Sequence, residues 1–116
     1  MGKNILVLSN DIHVTKLIHT NLAVRGYDVA LGQARMQPLE IARKPALIIV
    51  DSYLLEPSEW GLLGWLKGIE LTRDVPMIVI TSGTITRENL AEFNIAAYVE
   101  KPFSINDLLA AVQKAT

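Results

Sequence analysis

Apolar residues in this chain fall into short unbroken runs separated by apolar positions at helical spacing. The clearest run is Ala46-Leu47-Ile48-Ile49-Val50-Asp51: five apolar residues without alternation, then a carboxylate. A strand apolar on both faces belongs inside a parallel sheet, covered by helices on each side. Ile5-Leu6-Val7-Leu8 and Met77-Ile78-Val79-Ile80 are similar runs, ending in Ser9 and Thr81. Tyr27-Asp28-Val29-Ala30-Leu31 is shorter and alternates, as an edge strand does. Ala97-Tyr98-Val99 is the last strand and leads into Glu100-Lys101-Pro102.

The intervening segments read as helices. Val14, Leu17, Ile18 and Leu22 share a helical face, with Asp11 as N-cap and Gly26 as the stop. Pro38 opens a short helix over 38–43, since proline is tolerated in a first turn. A loop over 52–58 precedes Leu62, Leu66 and Ile69, again at helical spacing. Gly61, Gly64 and Gly68 weaken that helix by about 1 kcal/mol each relative to alanine. A helix from about Thr86 buries Leu90 and Phe93. Ser104-Ile105-Asn106-Asp107 reads as a capping box with Asp in place of Glu. It opens a last helix with Leu108, Leu109 and Val112 inward. Five strands alternating with five helices, joined by right-handed crossovers, predict an α/β fold. The expectation is a doubly wound parallel sheet in a single domain over residues 1–116.

Composition narrows the chemistry. The chain has 116 residues, 50% hydrophobic, with a formal net charge of -1. That suits one globular domain, and no Lys/Arg cluster points to nucleic acid. There is no cysteine, which removes disulfides, thiolate catalysis and cysteine zinc sites together. No apolar run reaches membrane-spanning length, and the N-terminus lacks a signal-peptide core. A cytoplasmic protein is the default expectation. His13 and His19 lack companions at metal-ligand spacing and read as surface residues of the first helix.

Binding crevices of open parallel sheets lie beyond the carboxyl ends of the strands. Asp51, Thr81 and Lys101 each end a different strand, so the fold gathers them. A carboxylate can attack an activated phosphoryl group, and a hydroxyl and an ammonium can donate to its oxygens. Taken singly, Thr81 and Lys101 read more readily as boundary residues, and Asp51 equally as either; the conjunction at three strand ends carries the reading.

These residues resemble those of the response-regulator receiver domains of two-component signalling, over essentially the whole chain. The matching segments are Ile5-Leu6-Val7-Leu8, Gly26-Tyr27, Leu47 to Asp51, Val75-Pro76-Met77-Ile78-Val79-Ile80-Thr81, and Ala97-Tyr98-Val99-Glu100-Lys101-Pro102-Phe103. The resemblance implies a flavodoxin-like, receiver-type sheet in the order 2-1-3-4-5. Asp51 would be the phosphoacceptor, for a phosphoryl group from a histidine kinase or histidine phosphotransfer protein. Lys101 would contact the phosphoryl group, and its bond to Pro102 would be cis. Thr81 would be the switch hydroxyl and Tyr98 the aromatic that follows it. The fourth helix, fifth strand and fifth helix would form the face for an output domain or partner. Such a domain is a phosphoacceptor and not an enzyme, beyond assisting its own phosphorylation and dephosphorylation.

The match fails where receivers carry two adjacent acids that bind Mg2+. Those positions hold Ser9 and Asn10 here. The remaining ligand candidates are Asp51, Asn10, the backbone carbonyl of Tyr53 and Asp11, for which capping is the simpler role. Mg2+ binding is therefore expected to be weak, since a hard ion favours anionic oxygens. Two other readings stay open. One is a pseudo-receiver, an interaction module that needs no phosphorylation. The other is a cobalamin-binding domain, approached by Asp11-Ile12-His13-Val14-Thr15-Lys16 and Ser52-Tyr53-Leu54 but lacking the glycine at Lys16. Trp60 and Trp65 cannot share one helix face fully, and a dimer through them is a further candidate.

Overall fold

The computed structural model describes residues 3–34, 44–51, 57–81 and 91–116, with 57–60 described as backbone only. Five parallel strands form one sheet in the order β2-β1-β3-β4-β5. They are β1 (Asn4–Leu8), β2 (Asp28–Gly32), β3 (Leu47–Asp51), β4 (Met77–Thr81) and β5 (Ile95–Glu100). The described helices are α1 (Ile12–Ala23), α2 (Pro57–Gly68) and α3 (Ile105–Ala115). The helix expected over 38–43 and most of the one expected from Thr86 lie outside the described residues. Ala91 and Glu92 are helical and lead into β5.

The unbroken apolar runs became the two-sided core strands. Every residue of β3 and β4 is buried, and side chains alternate between two apolar layers. Leu6, Leu8, Ile48, Val50, Met77 and Val79 face one layer, with Leu62, Leu63 and Leu66 of α2. Ile5, Val7, Leu47, Ile49, Ile78 and Ile80 face the other, with Ile18 and Leu22 of α1 and Leu108 and Val112 of α3. Leu17 departs from expectation: it is 43% exposed, because the face centred on Ile18 and Leu22 turns it toward solvent.

β5 begins at Ile95, two residues earlier than the pattern indicated. Its register against β4 jumps from Met77↔Ile95 to Ile78↔Ala97, so Ala96 is a bulge. One extra residue inverts side-chain parity. Ile95 and Tyr98 therefore both face the α2 layer, while Ala97 and Val99 face the α1/α3 layer. Simple alternation hides such a strand start.

The helix ends follow local chemistry. Asp11 Oδ1 accepts from the N–H groups of His13 and Val14 at 2.9 and 3.3 Å, capping α1. At its other end Gly26 has φ +89°, and Gly26 and Tyr27 donate to Ala23 and Leu22 carbonyls at 3.1 and 3.2 Å. This is the paired closure that a left-handed glycine allows. Ser104 caps α3 through Asn106 N–H at 3.2 Å. α2 starts at Pro57, inside the segment expected as loop, with proline in its first turn. After α2, Thr72 donates to the Leu66 carbonyl, and Lys67 Nζ donates to the Arg73 carbonyl at 3.0 Å. Partial burial lowers the Lys67 pKa, against an opposing pull from Asp74.

Two glycines test this account in opposite directions. A Cβ at Gly64 would meet only Phe93 Cε1, at an ordinary 3.9 Å. Gly64→Ala should raise stability by about 1 kcal/mol through helix propensity. A Cβ at Gly26 meets nothing within 4 Å, yet the backbone is left-handed. Gly26→Ala should cost about 1–2 kcal/mol from conformation alone. Urea midpoints of the two variants read both signs.

Candidate functional site

Strand parity sorts the residues at the carboxyl edge. Counting along each strand, Ser9, Asp51 and Lys101 continue the rows of the α1/α3 layer. Thr81 continues the row of Val79 on the α2 side, in step with Tyr98. Because β1 and β4 flank β3, residues just past their ends border Asp51. Lys101 extends β5 by one residue, and its N–H donates to the Thr81 carbonyl at 2.8 Å. That anchor lets its long side chain reach across the end of β4.

The contacts follow from this placement. Asp51 Oδ1 lies 2.7 Å from Lys101 Nζ; the side chains are 4% and 26% exposed respectively. Among the described residues no hydrogen bond reaches Oδ1 besides that ion pair. Ser9 Oγ donates to Asp51 Oδ2 at 2.9 Å. The same Oγ accepts from Asp11 N–H at 3.0 Å and lies 3.3 Å from the Asp11 carbonyl. A hydroxyl has one proton, and the shorter contact to a carboxylate is the stronger bond. Ser9 N–H donates to the Gly32 carbonyl at 3.0 Å, which fixes the residue at the head of β1. The Lys101–Pro102 bond is cis, as the resemblance implied.

Other expected site residues are placed differently. Asn10, a candidate metal ligand, turns toward the segment after β2. Its amide oxygen accepts from Ala34 N–H at 3.0 Å, and its amide nitrogen donates to the Ala34 carbonyl at 3.2 Å. Asp11 is occupied in capping α1. Tyr53 lies outside the described residues, as do Ser52 and Leu54 of the cobalamin alternative. Thr81 is fully buried at the end of β4. Tyr98 is half-buried and packs against the α2 layer, as Phe93 and Trp65 also do. Trp65 is thus partly covered by the core, and the Trp60 side chain is not described. His13 and His19 are exposed on α1.

The sequence marks Ser9 only as one of the two residues that replace the family's acid pair. Its bond to Asp51 was in fact readable once the strand order was known. β1 adjoins β3 with Leu8 opposite Val50, so the next residues, Ser9 and Asp51, are neighbours.

Comparisons with known proteins bear on this site. No family model matches the chain. The phosphate regulon transcriptional regulatory protein PhoB of Pseudomonas aeruginosa is 30% identical over 117 residues, covering 97% of this chain. The chain spans about half of that relative, 51% of its length. The polar-differentiation response regulator DivK of Brucella ovis is 26% identical, covering 97% of this chain and 95% of that protein. The chain's homologues are thus response regulators, and its structural neighbours are receiver domains. A receiver domain from the sensor histidine kinase PA1611 of Pseudomonas aeruginosa has the same fold, with TM-score 0.73 and 23% identity. It covers 98% of this chain and 97% of that one, and holds a magnesium ion in its active-site cleft.

The described residues of this site do not fit that ion. Mg2+ demands near-octahedral oxygen ligands and is held best by carboxylates. Among the described residues Asp51 is the carboxylate of the site, and both its oxygens are engaged, by an ammonium and by a hydroxyl proton. Asn10 directs its oxygen to a backbone N–H. Among the described residues no group of three His, Cys, Asp or Glu could hold a metal ion. Among them, too, no helix is long and apolar enough to cross a membrane.

Proposed function

We propose that this receiver accepts a phosphoryl group on Asp51 from the phosphohistidine of a kinase or phosphotransfer protein. The observation that carries the reading is the Asp51–Lys101 ion pair at the carboxyl ends of β3 and β5. A carboxylate oxygen forms the new P–O bond as the P–N bond of the donor breaks. The imidazole nitrogen keeps that electron pair. Lys101 would neutralise charge on the phosphoryl oxygens as they arrive, which is the electrostatic part of such a transfer. Thr81 is the hydroxyl that would turn toward those oxygens. The half-buried Tyr98 would then reposition on the α2 layer, passing the change to the face made by β5 and α3 and to an output domain or partner protein. Mg2+ is expected to bind weakly, and no step of the transfer is assigned to it.

Intact mass after incubation with acetyl phosphate tests this, beside Asp51→Ala. One phosphoryl adduct is expected on the native chain and none on the variant. A specific observation favours a second reading, a phosphorylation-independent interaction module. The Ser9 hydroxyl already satisfies Asp51 Oδ2, so the pocket is ordered without a modification. No adduct on the native chain, with a known receiver labelled in parallel, would select it.

A further inference from the structure

The geometry points to Ser9 as a built-in substitute for a divalent cation. A cation in this pocket would bind the Asp51 oxygen that Lys101 leaves, because an ammonium 2.7 Å from Oδ1 repels a second positive charge there. That remaining oxygen, Oδ2, accepts the hydrogen bond of the Ser9 hydroxyl at 2.9 Å. Ser9 is 6% exposed and pinned from three sides: its N–H to Gly32, its Oγ to Asp11 N–H, its proton to Asp51. The hydroxyl is therefore an ordered part of the site. A metal would have to displace it while gaining, among the described residues, one carboxylate.

The neighbouring residue reinforces the exchange. Asn10 pairs with both backbone groups of Ala34, tying the start of α1 to the exit of β2. A pair of acids at these positions would need a metal to offset their repulsion from Asp51. Ser9 and Asn10 hold the same loops together with hydrogen bonds from uncharged side chains. Ser9 is thus a positioning residue: it orients Asp51 and links that carboxylate to the N-cap of α1 through Asp11.

This inference takes the location of the site from the receiver reading and does not need phosphoryl transfer to occur. The test is the melting temperature of the native chain, Ser9→Ala and the double variant S9D/N10D, each with and without 10 mM Mg2+. The native chain should shift by less than about 1 °C with the metal. S9D/N10D should melt lower than the native chain without metal and recover by about 5–10 °C with it, as expected for sub-millimolar binding. Ser9→Ala should melt lower and gain nothing from Mg2+, since it strips a buried acceptor of its donor without adding a ligand. Loss of the free Mn2+ signal in electron paramagnetic resonance, on the double variant alone, gives the same answer without melting. A native chain stabilised by Mg2+ would overturn the proposal. So would a folded S9D/N10D that takes up neither ion. If S9D/N10D does not fold, the native and Ser9→Ala titrations still decide. A native chain that gives no phosphoryl adduct but shows this metal pattern would sink the acceptor reading and leave Ser9 in its role.

Discussion

Lys101→Met should destabilise the protein by about 2–3 kcal/mol and slow phosphoryl labelling of Asp51 about a hundredfold. The stability loss comes from what remains. Asp51 is 4% exposed, and without the ammonium its Oδ1 keeps a buried negative charge with no counter-charge. Removing one partner of a fully buried pair costs about 3–5 kcal/mol. Lys101 is 26% exposed, so water already screens part of this pair and the lower figure applies. Replacing both partners should be far milder. The double variant D51N/K101M carries no buried charge, and it should recover most of the loss in urea. That comparison separates the penalty of an orphaned carboxylate from the net worth of the pair, which a single substitution cannot do. The labelling rate reports the other role, because a pre-placed cation removed from a transfer site costs about two orders of magnitude. A Lys101→Met chain as stable as the native one would mean that the ion pair is not maintained in solution.

The contrast between this pair and its surroundings shows how far the sequence could be read. The two-sided runs at β1, β3 and β4 announce a parallel sheet because no other environment hides both faces of a strand. Asp51, Thr81 and Lys101 were legible as strand-end residues for the same reason. Ser9 and Asn10 were legible only as departures from a family pattern. A serine at a strand end has no fixed meaning until the neighbouring strand is known. The order 2-1-3-4-5 puts β1 beside β3, and that adjacency turns Ser9 into the donor to Asp51. Asn10 depends on a contact 24 residues away, at Ala34, which no local pattern encodes. The bulge at Ala96 was hidden because an inserted residue in a short alanine-containing run changes no periodicity that can be counted. Leu17 failed for a simpler reason: an apolar residue on the flank of a helical stripe is often left in water.

Ile49→Ala is the second substitution with a large expected effect, and it probes the layer beneath the site. Ile49 is fully buried in the central strand, two residues before Asp51 and in the same side-chain row. Its layer joins Ile5 and Val7 of β1, Ile78 and Ile80 of β4, and the inner faces of α1 and α3. Both faces of β3 are covered and its neighbours are hydrogen-bonded on either side, so little can collapse into the space left. Truncations of this kind cost about 2–5 kcal/mol, and a poorly collapsible site belongs in the upper half of that span. We expect about 3–4 kcal/mol, a large part of the total stability of a domain this size. Leu31→Ala is the matched control: it lies on edge strand β2, is 50% exposed, and should cost well under 1 kcal/mol. The chemistry should respond differently from the fold. Lys101 and Ser9 hold Asp51 from strands other than its own, so the remaining folded Ile49→Ala chain should still take one phosphoryl group at low temperature. Lost labelling in a chain whose circular dichroism is native would show instead that Ile49 positions Asp51 directly, and that the layer under the sheet edge belongs to the site.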